Sequence, residues 1–164
     1  SYIINMRNNN ITYFLKLITN MADASFLLGL STILLIVMKK KKIPLYIFTN
    51  LTCAFLTNEI FKSIFTRTRP IGINLINETG FSFPSGHSMV GLSFYGFIIY
   101  LIYKSKKNKL TKTILISSLT TIILLIGFSR IYLGVHYLTD IIGGFLLAII
   151  YLNLYIKFIK IEKK

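Results

Sequence analysis

The chain has 164 residues, of which 54% are hydrophobic, and its mean hydropathy is +0.66. Only 15% of its residues are charged, against about 25% in an ordinary soluble domain, so the composition excludes a typical soluble domain while the length favours a single domain. Lys and Arg outnumber Asp and Glu by 19 to five, which gives a formal net charge of +14.

The positive charge is gathered in three lysine clusters, at residues 39–42, 104–112 and 157–164, which hold 13 of the 19 basic residues. Each cluster follows or separates long apolar stretches, as basic residues do in the cytoplasmic loops of membrane proteins. A nucleic-acid-binding domain instead concentrates its basic residues on one face. We therefore expect membrane lipids, and no nucleic acid, as partners.

Five apolar segments follow one another along the chain, at about residues 21–38, 43–65, 88–103, 113–128 and 137–158. A membrane-spanning helix needs roughly 20 residues, with a range of about 17 to 25. The segments show little of the polar periodicity that helices of a soluble bundle would need. The sequence thus predicts an all-α, polytopic membrane helical bundle with five visible transmembrane helices.

The lysine clusters also predict the orientation of these spans in the cell membrane. If residues 39–42 are cytoplasmic, alternate crossing places the other two clusters and the C-terminus on the same side. The segments 67–87 and 129–136 then lie on the extracytoplasmic face. Whatever chemistry the polar residues of these two segments perform is therefore expected on that face.

The opening stretch, residues 1–20, mixes apolar side chains with Arg7 and Lys16 and is expected to form an interfacial helix. In this orientation the chain begins outside the cell. We therefore expect residues 1–164 to form a single membrane-embedded domain that lacks a first span, so that the full-length protein would have six.

The two histidines of the chain, His87 and His136, both lie at the external end of a predicted span. Asp140 follows His136 by four positions, so on a helix the two side chains would share a face. A carboxylate in that position holds the proton on one ring nitrogen and leaves the other nitrogen free to attack. An acid within a span would be costly without such a partner.

Other residues near the external face suit an anion. Ser85 is a candidate N-cap of the third span, and the free N–H groups of a helix start bind anions. Lys62 and Arg69, with Arg67 close by, are two helical turns apart and are expected on one side of a helix. Such cations suit the spread charge of a phosphoryl group; anchoring of lipid headgroups is the alternative. Glu59 is expected to pair with Lys62.

Together these residues favour phosphoryl transfer, in which cations and N–H groups hold a phosphate, one histidine attacks it, and the other protonates the leaving oxygen. The few external acids, Glu78 and Asp140, do not make a convincing cage of oxygen ligands. We therefore expect neither a metal nor another cofactor.

At these residues the sequence resembles the type 2 phosphatidic acid phosphatase family, in its bacterial membrane branch. That family shows a Lys, six residues, then Arg-Pro; next Pro-Ser-Gly-His; next Ser-Arg, five residues, His, three residues, Asp. Every position is matched between about residues 59 and 140. The matching residues are Lys62, Arg69, Pro70, Pro84, Ser85, Gly86, His87, Ser129, Arg130, His136 and Asp140.

The resemblance implies that His136 is the nucleophile, Asp140 its partner and His87 the general acid. It implies five phosphate ligands, namely Lys62, Arg69, Ser85, Gly86 and Arg130. The implied activity is metal-independent hydrolysis, through a phosphohistidine, of phosphatidylglycerol phosphate, phosphatidic acid or undecaprenyl diphosphate. The particular lipid and the oligomeric state stay open.

Two other classes of protein remain as alternatives. A non-catalytic membrane protein that binds or transports lipid phosphate or an anion would keep the cations but would not need His136 and Asp140 four residues apart. A basic module that binds the membrane surface would need neither histidine. Release of phosphate from a lipid phosphate separates both from an enzyme.

Overall fold

The computed structural model describes residues 7–39 and 42–159. Within these residues the chain forms six helices and no strand, which confirms the predicted all-α bundle. The helices are α1 (Asn9–Asn20), α2 (Ala24–Val37), α3 (Lys42–Phe65), α4 (Gly86–Lys104), α5 (Lys109–Tyr132) and α6 (Leu138–Ile159). The first six residues of the expected interfacial helix, and parts of two lysine clusters, lie outside the described residues.

Among the described helices α4, α5 and α6 are long and apolar enough to cross a membrane, and α1 and α2 reach this standard only as a pair bent by 47°. The 14 residues of α2 extend about 21 Å, less than the roughly 30 Å of a hydrocarbon core. α3 is less apolar because it carries Asn50, Asn58, Glu59 and Lys62. A helical membrane protein is therefore supported, but the predicted number of five spans is not confirmed.

The first predicted span differs most from the structure. It was expected to begin near Met21, whereas residues 21–23 form a link between α1 and α2. Hydropathy does not detect this break because Met21 and Ala22 are themselves apolar. The link brings the following residue, Asp23, to the same end of the bundle as the predicted site residues.

Helix α4 lies at the centre of the bundle and packs against α3, α5 and α6. Small residues allow this close packing, as is common between membrane helices. A Cβ added to Gly96 would lie 2.9 Å from a methyl group of Leu152 in α6, and the buried Phe94 and Phe97 fill the remaining space. The position of α4 therefore fixes its first turn, which carries His87, against several other elements.

Several buried polar groups of the helices bond to one another, which lowers the cost of burying them, although Oδ1 of Asn50 and the hydroxyl of Ser93 have no partner among the described residues. The amide of Asn50 in α3 donates to the carbonyl of Ser93 in α4 at 2.9 Å. The hydroxyl of Tyr151 in α6 donates to the carbonyl of Asn50 at 2.8 Å. These bonds fix α3, α4 and α6 relative to one another.

Two connections meet at one end of the bundle, namely the loop 66–85 between α3 and α4 and the turn between α5 and α6. The Leu75 N–H donates to the carbonyl of Leu133 at 2.8 Å, and the Ser85 N–H donates to the carbonyl of Asp140 at 3.1 Å. These bonds join the segments that hold the three sequence motifs.

Candidate active site

A cavity of about 140 Å³ lies at this end of the bundle, between the α1–α2 link, α3, the loop 66–85 and α4. Its lining brings together both histidines and two of the predicted phosphate-binding cations. The polar and charged lining residues are Asn58, Glu59, Lys62, Arg69, Glu78, Thr79, His87 and His136.

His136 lies in the turn before α6 and not on the predicted helix, because α6 begins at Leu138. Its Nδ1 is nevertheless 3.5 Å from Oδ2 of Asp140. Asp140 is in the first turn of α6, and the same Oδ2 accepts the N–H of Tyr137 at 2.8 Å. The predicted pair of His136 and Asp140 therefore forms. A turn held by Asp140 brings the two side chains together, in place of the predicted helical face.

The contacts of His136 define which ring nitrogen carries the proton. Its Nε2 lies 3.1 Å from Nη1 of Arg69. Because a guanidinium only donates hydrogen bonds, Nε2 must accept, and the ring proton lies on Nδ1, beside Asp140. The unprotonated nitrogen is therefore Nε2, whose lone pair accepts from the cavity residue Arg69.

The protonation state of His136 also suits a nucleophile. The pKa of His136 is lowered to about 4. Burial is the largest cause, and the positive charges of Arg130 and Arg69 lower the pKa further. The hydrogen bond to Asp140 opposes them. At neutral pH the imidazole is therefore uncharged and able to act as a nucleophile.

The carboxylate of Asp140 is fully buried and has further partners. Nη1 of Arg67 donates to Oδ1 at 2.8 Å, and the hydroxyl of Ser82 donates to Oδ2 at 2.5 Å. The Ser82 oxygen is also 3.4 Å from Nδ1 of His136. Arg67, which the sequence placed among the cations for phosphate, thus supports Asp140 instead. Ser82 was not anticipated, because nothing in its local sequence distinguishes it.

Lys62 and Arg69 both line the cavity, but the predicted reason for this is wrong. Helix α3 ends at Phe65, and Thr66 adopts a positive φ of 44°, so the chain leaves the helix before Arg69. Lys62 stays in the last turn of α3 and pairs with Glu59 at 3.2 Å, as expected. The loop 66–85, and not a continuation of α3, brings Arg69 back beside Lys62.

The guanidinium of Arg69 is held by backbone carbonyl groups on two segments. It donates to Gly80 at 3.0 Å, to Thr79 at 2.9 Å and to Val135 at 3.1 Å. Since the last of these lies directly before His136, Arg69 joins the loop 66–85 to the segment that carries the candidate nucleophile.

Ser85 is the N-cap of α4, as predicted, and its hydroxyl accepts the N–H of Ser88 at 3.4 Å. Ser85 is fully buried, and the following Gly86 lines the cavity. A Cβ at Gly86 would lie 3.1 Å from Oδ1 of Asn58 and 3.6 Å from Nζ of Lys62. The absence of a side chain therefore lets the N-terminus of α4 pack closely on Asn58 of α3, one turn before Lys62.

Arg130 is fully buried and is not among the residues that line the cavity. It donates to the hydroxyl of Thr19 at 2.8 Å and forms an ion pair with Glu78, and its Nε has no hydrogen-bond partner among the described residues. Glu78 does line the cavity and lies 3.9 Å from Arg69. Of the predicted phosphate ligands, Arg130 thus reaches the cavity only through Glu78.

Glu78 is a carboxylate placed among cations. Burial would raise its pKa, but the charge and hydrogen bond of Arg130, with smaller contributions from His87 and Arg69, outweigh burial and hold the pKa below its ordinary value. Glu78 is therefore ionised at neutral pH. From the sequence, Glu78 is a candidate only for metal binding, and no group of three or more potential ligands able to hold a metal ion is present in the described part of the chain.

His87 has an acidic partner that no sequence motif indicates. Its Nε2 lies 2.7 Å from Oδ1 of Asp23, in the α1–α2 link. The two residues are 64 positions apart, so no local pattern relates them. Each of the two cavity histidines thus has its own aspartate.

A second cavity, of about 180 Å³, adjoins the first and is lined almost wholly by apolar groups of α2, α3 and α4. The two cavities share Ala24, Phe55 and Val90. The remaining lining residues are Leu28, Leu51 and Thr52. A polar cavity and an apolar one therefore lie side by side.

Fold and site together describe a helical membrane protein with two histidine–aspartate pairs and several cations around one cavity. The model of the PAP2 superfamily matches residues 43–164, which is more than half of the chain. The chain therefore belongs to the PAP2 superfamily, and the resemblance found in the motifs is confirmed.

Two curated relatives are similar to parts of the chain. Phosphatidylglycerophosphatase B of Bacillus subtilis (strain 168) is 41% identical over 100 residues, which cover 58% of this chain and 47% of the relative. Undecaprenyl-diphosphatase of Sulfolobus acidocaldarius is 27% identical over 126 residues, which cover 72% of this chain and 56% of the relative. The chain thus spans about half the length of the curated relatives it matches.

Two crystal structures resemble most of the chain. The transmembrane PAP2 type phosphatidylglycerolphosphate phosphatase from Bacillus subtilis has a TM-score of 0.86 at 31% identity, over 96% of this chain and 80% of that chain. LpxE of Aquifex aeolicus has a TM-score of 0.74 at 25% identity, over 95% of this chain and 91% of that chain.

Proposed function

We propose that this protein is an integral membrane phosphatase that releases phosphate from a lipid phosphate monoester or diphosphate. The observation that carries the proposal is the arrangement of His136, with Nδ1 beside Asp140 and Nε2 beside Arg69. Lys62 and His87 line the same cavity. A non-catalytic lipid-binding protein would use the cations but would gain nothing from a neutral histidine held in one tautomer.

In this proposal the phosphate lies between Lys62, Arg69 and the N-terminus of α4 at Gly86. Cations and free N–H groups aimed at one point stabilise the charge on the phosphoryl oxygens. Ser85 caps the helix that supplies those N–H groups, and Arg130 lies behind Glu78, which partly neutralises its charge. No metal is required where cations supply this stabilisation.

The proposed reaction has two steps. Nε2 of His136 attacks phosphorus, the P–O bond to the lipid breaks, and His87 gives a proton to the leaving oxygen. Water then attacks the phosphohistidine, His87 takes the proton of that water, and inorganic phosphate leaves as the P–N bond breaks. Asp140 stabilises the positive charge that develops on His136.

The apolar cavity beside the polar one supports a lipid substrate over a water-soluble one. A chain of CH₂ groups would gain about 0.8 kcal/mol for each group buried. The candidate substrates are phosphatidylglycerol phosphate, phosphatidic acid and undecaprenyl diphosphate. Similarity to phosphatidylglycerophosphatase B makes phosphatidylglycerol phosphate the first to test.

We further propose that the chain is a single membrane-embedded domain of a multi-pass protein of the cell membrane. In this arrangement the cavity opens on the extracytoplasmic face, and the lysine-rich loops and C-terminus are cytoplasmic. The distribution of basic residues along the sequence supports this orientation.

The test is phosphate release by the purified protein from the three lipids, with and without EDTA. We expect turnover of at least one lipid, undiminished by EDTA, and a labelled phosphoenzyme that survives an alkaline quench. His136→Ala should lose both the label and the turnover. Binding of lipid phosphate without release would favour the non-catalytic alternative, and EDTA sensitivity reversed by Mg²⁺ would contradict the metal-free mechanism.

A second comparison separates the roles of the two histidines. General acid catalysis is worth roughly 10²- to 10⁴-fold, and it matters most for a poor leaving group. His87→Ala should therefore slow a lipid phosphate far more than p-nitrophenyl phosphate, whose leaving group needs little protonation. If His87→Ala and His136→Ala respond alike to the leaving group, the proposed division of roles is wrong.

A further inference from the structure

The α1–α2 link, residues 21–23, lies along one face of α4. The hydroxyl of Tyr95 donates to the carbonyl of Met21 at 2.6 Å. One turn nearer the start of α4, Gly91 leaves space for Ala22, since a Cβ there would lie 3.2 Å from the Ala22 Cβ. These two contacts hold the link in a fixed register on α4.

The next contact in this register is the ion pair of Asp23 with His87, one turn before Gly91 on α4. Residues four apart on a helix lie on the same face, so His87, Gly91 and Tyr95 meet successive residues of the link. The Asp23 carboxylate therefore does not reach the cavity histidine by a chance rotamer. The backbone on both sides is positioned to place it there.

The side chain of Asp23 does not cap the helix that it precedes. Asp23 occupies the N-cap position of α2, where an aspartate side chain ordinarily accepts a backbone N–H of the first turn. Its side chain makes no such bond and contacts Nε2 of His87 at 2.7 Å instead. A residue that forgoes its local structural role in favour of a site contact is a sign of function.

We propose that Asp23 is a positioning residue that orients His87 and favours the doubly protonated form in which it acts as a general acid; this inference rests on the proposed function. An ionised carboxylate only accepts hydrogen bonds, so Nε2 of His87 carries a proton toward Asp23. The proton for the leaving oxygen then comes from Nδ1. The resulting neutral ring keeps its Nε2 proton on Asp23, and Nδ1 is free to take the proton of water in the second step.

A buried imidazolium is costly unless a nearby charge compensates it. Asp23 offsets part of this cost from the α1–α2 link, by a hydrogen bond and by its charge. The loop 66–85 and α5 present Glu78 and Arg130 to His87, and these act with opposite signs. The other ionisable side chains around the cavity are Glu59, Lys62, Arg69, His136 and Asp140. Glu59 is paired with Lys62 and Asp140 with His136 and Arg67, so Asp23 is the acid committed to His87.

Asp23 lies upstream of residues 43–164, the part of the chain that matches the family model. The proposed positioning role is therefore not contained in the three motifs. It follows from the fold of the segment that precedes them.

The test compares Asp23→Asn with Asp23→Glu and the wild type in the full chain. Asp23→Asn should lower turnover of a lipid phosphate by about 10- to 100-fold, which is part of the roughly 10²- to 10⁴-fold a general acid contributes. Turnover of p-nitrophenyl phosphate should change by less than about threefold, because its leaving group needs little protonation. The alkaline limb of the lipid phosphatase pH profile should move to lower pH, because His87 loses its proton more readily. Asp23→Glu should restore part of both effects.

A double variant shows whether Asp23 acts through His87. Asp23→Asn added to His87→Ala should cause no further loss, whereas an additive loss would overturn the proposal. An equal loss with both substrates and an unmoved alkaline limb would also overturn it. Tyr95→Phe, which removes the anchor of the link, should show a weaker effect of the same kind.

A measurement that does not depend on activity keeps this inference separate from the proposed function. The ¹⁵N chemical shifts of the imidazole rings report protonation directly in the labelled protein. His87 should stay doubly protonated to higher pH in the wild type than in Asp23→Asn. Identical titration of His87 in the two proteins would refute the role of Asp23, even if the protein released no lipid phosphate.

Discussion

The guanidinium of Arg69 lies 3.1 Å from Nε2 of His136, the nitrogen proposed to attack phosphorus. The same guanidinium donates to three backbone carbonyl groups. It therefore orients the proposed nucleophile and fixes the loop around it.

Arg69→Lys is expected to be a severe change although it keeps the positive charge. An ammonium group cannot reproduce the planar set of donors that contacts His136 and the carbonyls together. We expect turnover to fall at least about 100-fold, as when one preorganised donor is lost. Steady-state kinetics and thermal unfolding should be measured together. Full activity of Arg69→Lys would show that charge alone is sufficient at this position.

The low pKa of His136 predicts a pH-dependent stability. Between pH 6.5 and about 4 the unfolded chain binds a proton at His136 that the folded chain does not. The free energy of unfolding should therefore fall as pH drops through this interval, by an amount on the order of 3 kcal/mol for this group. Chemical unfolding at pH 7 and pH 4.5 should show a smaller fall for His136→Gln than for the wild type. Parallel pH dependences would contradict the assignment.

Glu78→Gln should tighten the binding of phosphate-like anions. The Glu78 carboxylate neutralises Arg130 and lies 3.9 Å from Arg69, so its removal leaves more positive charge for the ligand. We expect the inhibition constant for vanadate to fall by about tenfold, or ~1.4 kcal/mol. Stability should decrease at the same time, because the buried guanidinium of Arg130 loses its charged partner.

Glu59→Gln is the matched control for Glu78→Gln. Glu59 also pairs with a cavity cation, but its side chain is 49% exposed against 25% for Glu78. Solvent therefore screens its charge more strongly, and the change in vanadate inhibition should be smaller. Equal effects of the two substitutions would show that Glu78 has no special place beside the cations.

Two glycines should respond in opposite ways to alanine. Gly134, in the turn before His136, has a φ of +75°, and a Cβ there would collide with the carbonyl oxygen of Ile73. Gly134→Ala should cost about 1 to 3 kcal/mol of stability. In Gly29, on α2, a Cβ would meet no atom within 4 Å, so Gly29→Ala should be neutral or stabilising by up to about 1 kcal/mol. Thermal unfolding in detergent compares the two directly.

The proposed orientation can be tested by cysteine labelling. Cys53, the single cysteine of the chain, is exposed and should first be replaced by serine. A cysteine at Gly72 should then react with an impermeant thiol reagent in intact cells, and one at Ser105 should react only after the membrane is opened. The reverse pattern would place the cavity in the cytoplasm.

Contacts between residues close in sequence could be predicted, because a turn or a helix brings them together whatever the rest of the fold does. The N-cap at Ser85 and the pair of Lys62 with Glu59 are of this kind. His136 and Asp140 also come together, although the helix assumed for them is a turn. Lys62 and Arg69 share a cavity, but their helical spacing does not explain it. The chain leaves α3 at Thr66, and the loop brings Arg69 back.

Contacts between distant residues could not be predicted. Asp23 and His87 are 64 positions apart, and Thr19 and Arg130 are 111 apart. Their proximity depends on how α1 packs on α5, how α2 packs on α3 and how the link between them lies on α4. Hydropathy merges Met21 and Ala22 into a span and so conceals the link that carries Asp23. A sequence motif does not show which acid will contact a given histidine in the folded chain.

The register of the α1–α2 link on α4 limits how this protein can be recombined with its relatives. A hybrid that joined residues 43–164 to the first 42 residues of another chain would inherit every motif. It would divide one site between two parents, because Asp23 and its contact His87 would then come from different sequences. Residues 21–23 should therefore vary in concert with the face of α4 that carries Gly91 and Tyr95, and functional hybrids should be those in which these two segments come from one parent.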